Sequence, residues 1–261
     1  VVYPDGTYIA YGYVYDQHNL LASAPQSESW TVNNVAPVIS IDGFNTTTVT
    51  LTESTTSDLI ASVTVTDANS CQDITIGGSV IVDFFGNWLD GDYQVDNDHP
   101  LCNSLEHSNP DKCYPAISCV VDNSTNSCAG ISDNQVAYTC TVPVQYHAEA
   151  TGIGAIDSNH INGNWYAYIT ATDDDGLYSI DSVTNLNVDL LIAFSAEDAI
   201  NYGSISSGYS SLTNPTVSVT STGNTKIDVE VGSTNQSGES YVPGDYLMCT
   251  DYPTCSGDNF H

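Results

Sequence analysis

The chain is 261 residues long and carries 32 acidic side chains against two basic ones, Lys112 and Lys226, for a formal net charge of -30. Only 13% of its residues are charged, against roughly 25% in an ordinary globular domain, so the basic half of the surface is missing rather than the acidic half enlarged. This excludes nucleic acid as a partner, because phosphate binding works through Lys and Arg that release counterions, and it disfavours anionic membrane surfaces for the same reason.

Hydrophobic residues make up 41% of the chain, too many for a disordered acidic polymer. Seventeen Tyr, with abundant Thr, Val and Ser, favour strands over helices. The Cys count is even, at eight, which points to disulfides and hence to an oxidising, extracellular or cell-surface setting. No apolar run approaches the ~18 residues that span a bilayer, so direct membrane insertion is not expected. The sequence starts without Met and shows no signal-peptide pattern, so the expectation is a mature, processed or partial chain.

In chain order, the first element is a Tyr-rich strand, Gly6-Thr7-Tyr8-Ile9-Ala10-Tyr11-Gly12-Tyr13-Val14-Tyr15-Asp16, followed by a polar turn and a second strand ending at Trp30 to Val32. Leu59, Ala61, Val63 and Val65 then alternate with polar or outward positions, as do Val136, Tyr138, Cys140, Val142, Val144 and Tyr146. Such period-2 patterns place one set of side chains on a core and the other toward solvent. Between them, 71–140 reads as a cysteine-rich insertion. Gly163 to Asp173 lines up with Gly6 to Asp16 as an internal repeat, with inward sets Trp165, Ala167, Ile169, Ala171 and Tyr8, Ala10, Gly12, Val14. A last alternating run takes in Leu186, Val188, Leu190, Ile192 and Phe194. No amphipathic helix is expected; Ser195 to Tyr202 allows a single short turn. Asn201 to Ile205 and Ser218 to Asn224 read as strand and turn.

The Tyr-rich strand ending in Thr-Asp-Asp-Asp-Gly at 172–176, followed by a Ser/Thr strand, resembles the closing hairpin of immunoglobulin-like modules, the PKD-type and cadherin-like domains of prokaryotic surface proteins. The phrase Val32-Asn33-Asn34-Val35-Ala36-Pro37-Val38-Ile39 is similar to the junction between two such modules. The resemblance implies an all-β chain of tandem immunoglobulin-like β-sandwiches with a disulfide-rich loop insertion. Residues 1–34 are then the terminal strands of a partial module, 35–188 an enlarged sandwich with its insertion at about 71–140, and 189–261 a second, incomplete module. A strand lent between subunits explains an N-terminal segment that lacks its own sandwich. On that expectation residues 7–15 pair with another chain, and pairing within the chain overturns it.

Six cysteines, Cys71, Cys102, Cys113, Cys119, Cys128 and Cys140, cluster within the insertion, and Cys249 with Cys255 forms a local pair. Fifteen pairings of the six exist; the expected set is Cys71–Cys140, Cys102–Cys113 and Cys119–Cys128, because nested and local closures suit a loop-rich insertion. His99, Cys102, His107 and Cys113 offer zinc ligands, but without a CxxC knuckle. Calcium is the better metal expectation. Hard oxygen ligands crowd Asp173-Asp174-Asp175 and the run Asp90, Asp92, Asp96, Asp98, although neither fits an EF-hand loop, and in the modules that this chain resembles acidic loops at strand ends often bind Ca²⁺ between domains. The plain alternative is that these Asp side chains simply make turns.

The six His are scattered, with no nucleophile elbow, HExxH or phosphate loop, so no catalytic residue is assigned and an enzyme is not expected. Trp30 and Trp165 lie in strands and read as core, which leaves Trp88 as the exposed tryptophan. Sequons at Asn45, Asn123 and Asn235 sit in turns or loops and permit glycans. The expected function is structural: a subunit of a surface layer, filament or stalk that self-associates into a homopolymer or array. The alternative is an adhesin or carbohydrate-binding module using 87–128, with Trp88, Tyr93 and Tyr114 as its aromatic surface.

Overall fold

The computed structural model describes residues 3–21, 24–88, 109–152, 163–197 and 217–227. Thirteen strands and one four-residue helix are present among them. The chain divides into two compact units, Val1–Ala193 with Thr222–Thr225, and Phe194–Ser221 with Lys226–His261.

The first unit is a two-layered β-sandwich preceded by a hairpin. One layer is a four-stranded sheet in the order β3 (Val38–Phe44), β5 (Thr56–Thr66), β9 (Gln135–Gln145), β8 (Val120–Val121). The other is five-stranded, in the order β4 (Thr48–Val49), β11 (Tyr178–Val188), β10 (Trp165–Thr172), β6 (Ser79–Gly86), β7 (Cys113–Ser118). Neighbours run antiparallel except β11 and β4, which are parallel.

The alternating patterns read from the sequence define the core. Leu59, Ala61, Val63 and Val65 of β5 and Val136, Tyr138, Cys140, Val142 and Val144 of β9 are buried, and they meet Val82, Phe84, Trp165, Ala167, Ile169 and Leu186 from the opposite layer in one cluster. Trp165 is wholly buried, with its ring stacked 4.6 Å from Phe84. Burying side chains of this size stabilises by about 1.5–3 kcal/mol each, and the faces interlock because side chains alternate across each strand.

Several expectations are corrected here. The stretch 71–140 is not an inserted loop region: its residues supply β6, β7, β8 and half of β9, and Val80, Val82, Phe84 and Tyr114 join the core. The alternating run from Leu186 stops at Val188, where β11 ends, and Ile192 and Phe194 are exposed. Ser195 belongs to β12 (Phe194–Ala196), which pairs with β13 (Val219–Ser221) in the second unit.

Two of the three expected disulfides, Cys71–Cys140 and Cys119–Cys128, also give way, and the third, Cys102–Cys113, reaches a residue outside the described ones. The bonds are Cys71–Cys128 and Cys119–Cys140, and Cys113 is also disulfide-bonded, to a partner outside the described residues. The reason is register. β5 ends at Thr66 and β9 begins at Gln135, and as antiparallel neighbours they bring the loops holding Cys71 and Cys128 to the same end. Val120 pairs with Thr139, so the adjoining Cys119 falls opposite Cys140. Cys102, Cys249 and Cys255 lie outside the described residues.

Residues 6–12 form β1 (Gly6–Gly12), which pairs along one edge with β2 (Gln26–Val32) in an uninterrupted antiparallel register. This in-chain pairing overturns the expectation of a single strand lent to another subunit. Nor is the set Tyr8, Ala10, Gly12 and Val14 inward: Ala10, Gly12 and Val14 are exposed and Tyr8 is only half-buried. Tyr8 stacks on Trp30 across the pair, and the hydroxyl of Tyr8 donates to the Pro4 carbonyl at 2.8 Å.

Non-reducing peptide mapping should recover a Cys71–Cys128 link and a Cys119–Cys140 link. Removing the second with Cys119→Ala and Cys140→Ala should lower stability by about 2–4 kcal/mol in a chemical-denaturation titration, because it releases the loop between β8 and β9, closed over a separation of 21 residues, in the unfolded chain.

Candidate cation-binding site at the base of the hairpin

Three segments meet where the hairpin joins the sandwich: the linker after β2, the loop after β5, and the turn between β10 and β11. Asp67 directly follows β5 and folds the loop onto itself, its Oδ1 accepting from the N–H groups of Asn69 at 2.8 Å and Ser70 at 3.3 Å. That turn starts the helix α1 (Gln72–Thr75), which carries Asp73. Asn69 then holds the linker: its Nδ2 donates to the Asn33 carbonyl at 3.1 Å, and its Oδ1 accepts from the Val35 N–H at 2.9 Å. Asn34 Nδ2 reaches across to Asp173 Oδ2 at 2.9 Å.

Asp173 closes the β10–β11 turn, its Oδ1 accepting from the Leu177 N–H at 2.7 Å while its backbone N–H donates to the Leu177 carbonyl. Glycine permits the close approach of α1 to this turn. A Cβ on Gly78 would stand 2.5 Å from the Thr172 carbonyl oxygen and 2.6 Å from that of Asp73, so only glycine fits there.

The electrostatics follow from so many carboxylates in so little space. Asp67, Asp73 and Asp173 are buried, whereas Asp174 and Asp175 are exposed. Burial pushes the Asp73 carboxyl up to about 6, aided by repulsion from Asp67, Asp174, Asp5 and Asp173. Burial also raises Asp67, against the two backbone N–H groups it accepts from, with Asp173 and Asp174 adding to the rise. Asp175 is raised chiefly by Asp5, which precedes β1. No positively charged side chain is among the causes of these shifts. Five buried side-chain oxygens among the described residues have no hydrogen-bond partner; three are carbonyl or carboxylate oxygens of this site, Asn34 Oδ1, Asp67 Oδ2 and Asp73 Oδ2, and two are the hydroxyls of Thr170 and Ser179. Hard oxygens left unsatisfied in this way are the donor type that a calcium ion takes. Among the described residues, however, no three His, Cys, Asp or Glu side chains lie close enough together, as they stand, to hold a metal ion.

Of the residues singled out in the sequence, Asp173, Asp174 and Asp175 belong to this cluster. Asp90, Asp92, Asp96 and Asp98 lie outside the described residues, as do His99, Cys102, His107 and Asn235. Asp5, Asn34, Asn69, Asp67 and Asp73 were not singled out as ligands. The signals for three of them were the Asn33-Asn34 pair in the junction phrase and the Asp67-Ala68-Asn69 run after a strand. The two sequons described differ. Asn45 is engaged at the strand end, donating to the Asp58 carbonyl and accepting from the Ile60 N–H, while Asn123 is exposed in a turn held by Asp122.

The aromatic residues also depart from expectation. Trp88 is half-buried, its ring edge-on to Trp165 at 5.5 Å and its Nε1 donating to Glu149 Oε2 at 2.7 Å. Lys112 bridges to Glu149 Oε1 at 3.4 Å, and Tyr114 is buried with its hydroxyl accepting from the Gln145 N–H. Trp30, assigned to the core, is the exposed tryptophan, because among the described residues its strand pairs only with β1.

No protein-family model matches the chain, and no curated protein matches it. Among the described residues no helix is long and apolar enough to cross a membrane. The two disulfides fit an oxidising environment.

The sign of the pH response follows from the raised carboxyls. Asp73 takes up its proton near 6 when folded and near its ordinary 3.8 when unfolded, so the folded state binds more protons between those values, and stability falls as pH rises through them. Without divalent cations, Asp73→Asn should raise the melting temperature at pH 7.5, by an amount equivalent to about 1–3 kcal/mol. That gain should shrink as the pH is lowered to 4.5, where Asp73 itself is largely neutral. A gain equal at both pH values would contradict the assignment.

Proposed function

We propose that the chain is an extracellular structural protein, a subunit or segment of a surface layer, filament or stalk built from tandem immunoglobulin-like modules of the PKD or cadherin-like kind. The observation that carries this reading is the acidic junction itself. Its carboxylates sit at a joint between the hairpin and the sandwich, and the linker that crosses it is held by two sandwich side chains, Asn69 after β5 and Asp173 after β10. A load-bearing array needs such joints stiff. The pattern also suits calcium at this point: Asp67, Asp73, Asp173 and Asn34 supply the oxygens, with Asp5 and Asp174 beside them, and an ion would neutralise charge that the chain's two lysines do not. Bound calcium supplies charge neutralisation and a cross-link between loops, and the side chains supply the hard oxygens.

In this reading the sandwich acts as a rigid block, stapled by Cys71–Cys128 and Cys119–Cys140. Its surface, almost without Lys and Arg, repels its own copies until cations, sugars or direct contact bring them together. The alternative of a carbohydrate-binding module draws less support, since Trp88 and Tyr114 are taken up in packing around Trp165 and Glu149.

Thermal unfolding in about 1 mM calcium, in the range where extracellular modules bind it, should give a melting temperature several degrees above that in EDTA. The variant with Asp67→Asn and Asp73→Asn together should lose that gain while staying folded. Electron microscopy of the purified chain with calcium and with EDTA should show ordered assemblies that chelation disperses. An unchanged melting temperature and dispersed particles under both conditions would overturn the proposal.

A further inference from the structure

We infer that the free edge of β1 is a self-association site, pairing antiparallel with the same edge of a second copy to make a four-stranded sheet across two chains. This rests on the self-assembling reading above and names the surface that would perform it. Three observations support it.

The first is how every other strand edge in the first unit is protected. An unpaired edge is a template for another chain, and folded proteins blunt it by shortness, charge, proline or bulges. β4 and β8 are two residues long; beyond them, the edge of β11 carries Asp181 and that of β9 carries Pro143. β7 contains Pro115, and its pairing with β6 shifts register between Val82 and Phe84. β3 carries Asp42 at a register shift between Ile41 and Gly43. β2 carries Glu28. β1 has none of these devices: it runs seven residues in unbroken register, without proline, and its second edge is unpaired among the described residues.

The second is charge. Residues 6–15 contain no Asp, Glu, His, Lys or Arg, although Asp5 and Asp16 flank them. The register puts Thr7, Ile9 and Tyr11 on one face of the hairpin with Thr31, Ser29 and Ser27 opposite them, and that face is uncharged throughout. On a chain of net charge -30, a neutral strand is where two copies approach with the least repulsion.

The third is exposed area. Ile9 is 52% exposed and Tyr11 55%, with Tyr13, Val14 and Tyr15 exposed beyond them. At roughly 150–250 Å² per aromatic side chain, these residues offer several hundred Å² of apolar surface. That is the order of the ~800 Å² each partner contributes to a standard interface. A lone two-stranded hairpin is marginal in water, so a partner along β1 also stabilises the hairpin itself.

Sedimentation velocity of the full chain in calcium should show a concentration-dependent dimer or larger species, strengthened when salt screens the net charge. The variant with Ile9→Glu and Tyr11→Glu should weaken association by tenfold or more. Because those changes can also loosen the hairpin, single cysteines placed at each of residues 7–11 provide a second readout; among the described residues no native cysteine is free to compete. Symmetric pairing predicts an intermolecular disulfide at one of these positions, fading on either side, and none from Thr31→Cys on the far strand. Assembly without a β1 cross-link, or with Thr31→Cys linking equally well, would place the interface elsewhere and sink this inference while leaving the structural reading intact. A chain that stays monomeric at every concentration and salt, with and without calcium, would overturn both.

Discussion

Eleven residues of β5 lie antiparallel to eleven of β9 in one unbroken register, and most of the remaining structure depends on that ladder. It sets Leu59, Val63 and Val65 beside Val142, Tyr138 and Val136, so a continuous apolar face is available to receive Trp165 and Phe84 from the other sheet. It fixes which cysteines can meet, by bringing the loop after β5 to the entry of β9. It also delivers Asp67, the first residue beyond β5, to the end of the sandwich where the linker from the hairpin arrives. A shift of one residue would turn each of these side chains to the opposite face.

The acidic junction shows how a fold can concentrate a charge that the composition spreads thinly. Acids are ordinary in number along the chain, yet the meeting of linker, loop and turn collects Asp5, Asp67, Asp73, Asp173, Asp174 and Asp175 within mutual electrostatic reach. Elsewhere an Asp is satisfied locally. Asp122 and Asp133 are held below their usual range by hydroxyl and backbone donors in exposed turns. Asp67 and Asp73 are different because each keeps one buried oxygen without a partner.

The two Tyr-rich hairpins make the same point for packing. Trp165, Ala167, Ile169 and Ala171 of β10 are fully buried because β6 lies along one side, β11 along the other, and the facing sheet lies above. The matching strand β1 has, among the described residues, only β2 beside it, and most of its residues are exposed. The local pattern is shared, and what differs is the number of neighbours. Hence Trp30 was misread as core and Trp88 as exposed: the strand pattern of the first was sound, but nothing in it tells whether a second sheet covers it.

The amino-acid order by itself determined the all-β character, the inward sets of β5, β9 and β10, the oxidised cysteines and the acidic turn at 173–175, because period-2 alternation, composition and turn residues act over a few neighbouring positions. Only the tertiary structure decided the disulfide partners, the place of 79–86 and 113–121 as core strands rather than loops, and the joining of Asn34, Asp67 and Asp73 to Asp173. Those depend on strand register and sheet order, which bring together residues more than a hundred positions apart, and no local pattern encodes which distant strand will lie alongside.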